Sequence, residues 1–271
     1  MDIVTKGSGP PLVLLAGLQG RWEYARSTVD ALARSFRVLT FSLCGERSSG
    51  LAFEPSRGFD NYTTQIVGAL EESGLDRAVI CGVSFGGLIA VHFAATHPER
   101  TAALVLASTP GPTWRLRRRH HVYARAPWVF GPLFLAETPF RLRKELEVTF
   151  PDWKKRWRFA LHQLRTFVDA PVSLGRMGER GRMLSKLDLL ADCLRIAAPT
   201  LIVTGERGLD RVVPVSGSSG YLGLINGARG AIIERTGHLG VITRPDRFAE
   251  LVGAFAPGVV APSCPGDPHA A

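Results

Sequence analysis

From Gly9 onward, short apolar runs, many of them β-branched, alternate with longer stretches of helical periodicity. Leu12–Leu15, Arg37–Ser42, Ala78–Gly82, Ala102–Ala107, Thr200–Thr204 and Ala231–Glu234 are the predicted strands. Their nearly continuous apolar character is that of strands covered on both faces. Between them, Tyr24–Ser35, Tyr62–Ser73 and Phe85–Thr96 read as helices, the last stopped by Pro98, and a final helix runs from about Asp246 to Phe255. The alternation predicts an α/β fold with a mostly parallel central sheet flanked by helices.

One segment breaks the pattern. It is introduced by Pro110-Gly111-Pro112, ends at Ala198-Pro199, and contains helical stretches at Arg141–Val148, Lys154–Ala170 and Met183–Cys193. Four of the five tryptophans, Trp114, Trp128, Trp153 and Trp157, lie in it. A helical block inserted between parallel strands would sit over the carboxyl edge of the sheet, where such sheets bind ligands. Residues 111–198 are therefore expected to form a helical lid, residues 1–110 and 199–260 the core, and the Pro-rich 261–271 a mobile tail.

Composition narrows the classes. The chain of 271 residues is 45% hydrophobic and 21% charged, an ordinary globular balance. It has no apolar run of roughly eighteen residues and no export-signal pattern at its start, so a cytoplasmic protein without a membrane-spanning segment is expected. Cys44, Cys81, Cys193 and Cys264 are widely spaced, without a CxxC pair, and read as free thiols in a reducing compartment. The formal charge is +9, but residues 111–190 hold 17 Lys and Arg against 7 Asp and Glu, so the excess belongs to the inserted block. Basic charge confined there carries no groove or base recognition, and nucleic acid is not an expected partner. Solvated helix faces explain most of it; arginines guiding an anionic substrate or touching an acidic membrane surface are the alternative. The oligomeric state is not fixed by any of these features.

Chemistry concentrates where the strand Ala78–Gly82 runs into Gly82-Val83-Ser84-Phe85-Gly86-Gly87 and on into an apolar helix. In a G-x-S-x-G turn the serine is held in strained backbone geometry, so the residues two before and two after it must lack bulk. Ser84 is the candidate nucleophile, at a helix N-terminus whose free N–H groups favour an anion forming beside the hydroxyl. A Gly-rich packing turn with a helix-capping serine is the alternative. A serine hydroxyl needs an imidazole to take its proton, and the imidazole needs a carboxylate to fix its tautomer. Of seven histidines, His92 and His97 belong to the helix after Ser84, His120, His121 and His162 to the inserted block, and His269 to the tail. His238 alone follows a late strand, in a Gly-His turn. Asp210 follows the strand Thr200–Thr204, with Glu206 nearer the strand end as the alternative acid.

With these residues in view, the sequence resembles the α/β-hydrolase superfamily from Ile3 to Phe255. The resemblance rests on the serine elbow and on Leu14-Leu15-Ala16-Gly17-Leu18-Gln19-Gly20, Gly205–Pro214 and Thr236-Gly237-His238, in the family's order of nucleophile, acid and histidine. It implies a lid-bearing, esterase-like serine hydrolase with catalytic Ser84, His238 and Asp210, an oxyanion hole from the Leu18 and Phe85 N–H groups, and neither metal nor organic cofactor. The expected partner is a small acyl substrate, apolar or anionic, with Gln19, Trp114, Trp128, Phe130 and Phe134 as candidate contacts.

Three departures stand out. Ala16-Gly17 replaces the family's usual His-Gly; Ser42-Leu43-Cys44-Gly45-Glu46-Arg47-Ser48-Ser49 replaces its Asp-x-x-Gly-His-Gly-x-Ser loop; and the leading strand is expected to be missing. Lactonases, carbon–carbon bond hydrolases and cofactor-free haloperoxidases use the same triad on this fold, and fold alone does not separate them. Dehalogenases and epoxide hydrolases are disfavoured, because those relatives carry Asp where this chain has Ser84. A ligand receptor that keeps the triad and uses its lid to engage a partner is the reading from another class.

Overall fold

The computed structural model describes residues 1–184 and 187–256. The expected tail 261–271, with Cys264 and His269, lies outside the described residues. Seven strands, β1 (Val4–Lys6), β2 (Pro11–Leu15), β3 (Arg37–Phe41), β4 (Ala78–Val83), β5 (Thr101–Ala107), β6 (Thr200–Thr204) and β7 (Arg229–Ile232), form one sheet in the order β1-β3-β2-β4-β5-β6-β7. All neighbours pair in parallel except β1, which runs antiparallel to β3 with Val4 opposite Thr40. The expectation of a missing leading strand is thus corrected. Three residues before Gly7 and Gly9 are enough for an antiparallel edge, and so short a mixed-polarity stretch has no readable alternation.

Helices α1 (Arg26–Leu32), α2 (Asp60–Glu72) and α3 (Phe85–Thr96) connect the first strands. Between β5 and β6 lie α4 (Arg118–Arg125), α5 (Pro127–Thr149), α6 (Trp153–Asp169), α7 (Leu174–Leu184) and α8 (Leu190–Arg195). The short α9 (Val215–Ser218) and α10 (Tyr221–Leu224) precede β7, and α11 (Gly240–Thr243) and α12 (Pro245–Phe255) follow it. Successive strand residues point to opposite faces, so the strands feed two cores. Val13, Leu15, Ile80 and Leu106 pack on one side with Tyr62 and Ile66 of α2 and with Leu88 and Phe93 of α3. Leu12, Leu14, Val79 and Val105 pack on the other with Val29 and Leu32 of α1 and with Phe248 and Val252 of α12. Burial on both faces fits strands with no polar alternation. Cys44, Cys81 and Cys193 are buried free thiols inside this packing, and burial pushes Cys44 and Cys193 up to about 12.

The insertion departs most from expectation. The helix expected at Arg141–Val148 is the end of α5, which starts at Pro127 and runs through Pro132 and Pro139. Pro139 offers no N–H to the Leu135 carbonyl; in the same turn the neighbouring Phe134 carbonyl accepts from Arg141 Nη2 at 3.0 Å and from the Thr138 hydroxyl at 3.0 Å. The helix expected at Met183–Cys193 is divided between α7 and α8. α7 starts earlier, and its glycines lie where it crosses other helices: a side chain at Gly178 would meet Pro127 at 2.9 Å and the Ala124 carbonyl oxygen at 3.1 Å.

Candidate active site

β4 ends by donating the Ser84 N–H to the Ala107 carbonyl of β5 at 2.8 Å, and the chain then turns at once into α3. The turn holds Ser84 at φ 53°, ψ −116°, a left-handed conformation that costs a non-glycine residue energy. Its glycines are sterically required. A Cβ at Gly82 would lie 2.3 Å from the Gly86 carbonyl oxygen, and one at Gly86 would lie 2.5 Å from the Leu15 carbonyl oxygen. Phe85 is the first residue of α3, where backbone N–H groups have no intrahelical acceptor.

The loop after β2 is fixed from within by the Gly20 N–H bonding the Gly17 carbonyl at 2.9 Å, which belongs to the peptide carrying the Leu18 N–H. It is fixed from outside by Arg180 of α7, whose Nη1 donates to the Leu18 carbonyl at 3.1 Å and to Glu46 Oε1 at 2.8 Å. The Arg180 and Glu46 side chains are 1% and 2% exposed.

After β6, Asp210 Oδ1 accepts the N–H groups of Val212 at 2.9 Å and Val213 at 2.7 Å, while Oδ2 faces His238 Nδ1 at 3.2 Å. The Asp210 side chain is 3% exposed and that of His238 13%. Glu206, the alternative acid, instead accepts the Arg235 N–H at 2.7 Å. On the other side of the histidine loop, Glu145 of α5 is 1% exposed and its Oε1 accepts the Leu239 N–H at 2.7 Å. Burial raises the Glu145 carboxyl above its ordinary value, and the N–H groups of Gly237 and Leu239 pull against that rise.

A cavity of about 750 Å³ opens between these loops and the inserted helices. Ser84, Phe85, Leu18 and Asp210 are on its wall, with Trp114 and Phe134 of the expected contacts. Gln19, Trp128 and Phe130 do not line it. Gln19 is exposed, Trp128 is 73% exposed at the outer start of α5, and Phe130 stacks on Tyr123 at 5.6 Å. His238 is not among the residues lining the cavity, and among the described residues the Ser84 hydroxyl forms no hydrogen bond to its imidazole. Arg180 and Glu145 were not legible in the sequence, since their partners lie far along the chain and neither belongs to a local motif.

Comparison with known proteins agrees with this architecture. A family model described as "alpha/beta hydrolase fold" matches residues 10–245. The chain is 28% identical over 268 residues to a pimeloyl-[acyl-carrier protein] methyl ester esterase of Stenotrophomonas maltophilia (strain K279a), covering 94% of this chain and 96% of that one. It is 27% identical over 259 residues to a 2-hydroxymuconate semialdehyde hydrolase of Pseudomonas sp. (strain CF600), covering 92% and 87%. The enol-lactonase from Burkholderia xenovorans LB400 superposes with a TM-score of 0.73 at 24% identity, covering 94% of this chain and 95% of that one, and so shares the fold. No described helix is long and apolar enough to cross a membrane. A mostly parallel sheet, a serine held at a strained strand-to-helix turn and a family match over residues 10–245 together make this chain an enzyme of the α/β hydrolase fold family.

Proposed function

We propose that the protein hydrolyses a small carboxylic ester through an acyl-enzyme intermediate. The observation that carries the reading is the Asp210–His238 contact, made by a carboxylate whose other oxygen is already anchored by two backbone N–H groups, on a loop whose acid shares a cavity with Ser84. With the Nδ1 proton directed at Asp210, Nε2 is left as the base. As substrate fills the cavity, Nε2 draws the proton from the Ser84 hydroxyl, a contact that tightens on forming the Michaelis complex. The oxygen attacks the ester carbonyl, and the N–H groups of Phe85 and Leu18 hold the oxyanion. The imidazolium, stabilised by Asp210, returns its proton to the leaving alcohol, and water deacylates the serine by the same route.

In this reading residues 111–198 act as the lid, supplying Trp114, Phe134 and Met177 to the apolar part of the cavity. A volume of about 750 Å³ suits a small ligand rather than a polymer. The names of the relatives, an esterase, a semialdehyde hydrolase and an enol-lactonase, support hydrolysis as the reaction class. Ser84→Ala is expected to lower kcat for p-nitrophenyl butyrate by roughly 10³-fold or more, with an unchanged circular dichroism spectrum. Turnover at the wild-type level in that variant would refute the assignment.

A further inference from the structure

The cavity has two kinds of wall. Leu18, Ser84 and Phe85 come from the core loops, and Trp114, Leu116, Phe134, Met177 and Leu184 give an apolar lining. Four arginines, Arg117, Arg119, Arg141 and Arg211, border the same space, against two carboxylates, Glu137 and Asp210. Asp210 is already committed to His238 and to two backbone N–H groups. Glu137 Oε1 accepts the Tyr123 hydroxyl at 3.1 Å, while its buried Oε2 stands 3.5 Å from Arg119 Nη2 without a hydrogen bond. Neither Arg117 nor Arg211 has an ion-pair partner among the described residues.

Arg141 is the most pointed of the four. Its Nη2 is spent on the Phe134 carbonyl at 3.0 Å and the Thr138 hydroxyl at 3.2 Å, and its guanidinium lies over the Phe134 ring at 4.3 Å. Its Nε is buried and has no hydrogen-bond partner. A buried N–H of a cation without an acceptor is costly and invites one. The local field agrees. His120, on the same wall, is pushed down to about 4 by burial, with Arg119, Arg141 and Arg117 adding to the effect.

We propose that this cavity selects esters whose acyl part carries an anionic oxygen group, a carboxylate or a phosphate, remote from the scissile carbonyl, and that Arg141 and Arg119 determine this specificity. Such a substrate places its ester at Ser84, its methylene chain along the apolar lining and its charge among the guanidinium groups. Charge-assisted hydrogen bonds from arginine then hold it at that wall, with Arg141 half-buried and Arg119 exposed. The inference rests on the ester-hydrolase reading for its chemistry but not for its binding.

The test therefore separates the two. Turnover is measured for monomethyl suberate, for the counterpart in which a carboxamide replaces the carboxylate, and for a methyl ester of equal length ending in phosphate. We expect kcat/KM of at least one anionic ester to exceed that of the carboxamide by about tenfold or more. The faster anion identifies the preferred group. In Arg141→Gln that ratio should fall toward one and in Arg141→Glu below it, with Arg119→Gln as the second variant should either fail to fold. Equal kcat/KM for all three esters in the wild type, or a ratio untouched in all three variants, would overturn the proposal. In parallel, suberate binding to Ser84→Ala is measured by calorimetry and should be lost on adding Arg141→Gln. If no ester is cleaved but suberate binds in an Arg141-dependent way, the ester reading fails and the anion site stands. Cleavage without charge preference and without suberate binding overturns the anion site and leaves the ester reading in place.

Discussion

Ser84 owes its place to very local forces. The serine is held at φ 53° because the strand-to-helix turn leaves no other path, and Gly82 and Gly86 permit it by having no Cβ to meet the facing carbonyls. That demand acts over five residues, so a reader of the sequence can find it. The choice between Asp210 and Glu206 is not local, because both follow β6 and the deciding quantity is which carboxylate reaches the imidazole. Folding places Asp210 at 3.2 Å from His238 Nδ1 and turns Glu206 onto the Arg235 N–H. Asp210→Asn is accordingly expected to lower kcat by roughly 10³- to 10⁴-fold, since an amide no longer fixes the tautomer or stabilises the imidazolium. Glu206→Gln should act on the turn at Arg235, which sits at φ 57°, and so lower Tm rather than change the rate law. Steady-state kinetics and thermal melts of the two variants check the pair; a larger loss of kcat in Glu206→Gln would reverse the assignment.

At the scale of elements, the inserted helices do more than cover the sheet edge. α5 reaches the histidine loop through Glu145 and Leu239, and Thr149 of the same helix donates to the Arg235 carbonyl at 2.8 Å. α7 reaches the loop after β2 through Arg180, and Arg176 Nε donates to the Gly45 carbonyl at 3.2 Å. Each of the two loops flanking Ser84 is therefore braced by a helix from the insertion. The Arg180–Glu46 pair also accounts for a departure in the sequence: Glu46 falls within the altered Ser42–Ser49 loop, and its new identity is matched by a buried cation 134 residues away. Breaking such a pair from one side strands a charge in a space with almost no water. Glu46→Gln should cost about 3–5 kcal/mol in urea unfolding, and pairing it with Arg180→Met should recover a large part of that loss. A single-variant cost under about 1 kcal/mol, the range of exposed pairs, would show the bridge to be solvated.

Over the whole molecule, one ionic staple ties three helices on the same side of the sheet. His92 of α3 meets Asp192 of α8 at 2.7 Å through Nδ1 and Asp60 of α2 at 3.4 Å through Nε2, and Arg195 holds the other oxygen of Asp192. The Asp192 hydrogen bond raises the His92 pKa above its ordinary 6.5, against the opposing effect of burial. A folded-state pKa above the unfolded value means that the native state binds more protons between the two. The stabilisation is complete below pH 6.5 and is lost as pH rises through the raised pKa. Stability measured by urea should thus decline from pH 6 toward pH 9, and His92→Asn should flatten that part of the profile; an identical slope in the variant would remove the staple from the account.

The basic excess of residues 111–190 is likewise divided by the fold. α6, with Trp153 and Trp157 58% and 61% exposed, turns its charge outward, whereas Arg117, Arg119 and Arg141 border the cavity. The sequence by itself determined the strand order of appearance, the serine elbow and the family, because each rests on nearest-neighbour sterics or on the burial of contiguous apolar runs. Only the tertiary structure decided that α5 continues through two prolines, that a short antiparallel strand leads the sheet, that Glu145 and Arg180 hold the loops at Leu239 and Leu18, and that Arg141 borders the cavity. The contacts of Glu145 and Arg180 are with partners about a hundred residues distant or more, whose approach is set by how helices pack and not by the order of residues around them.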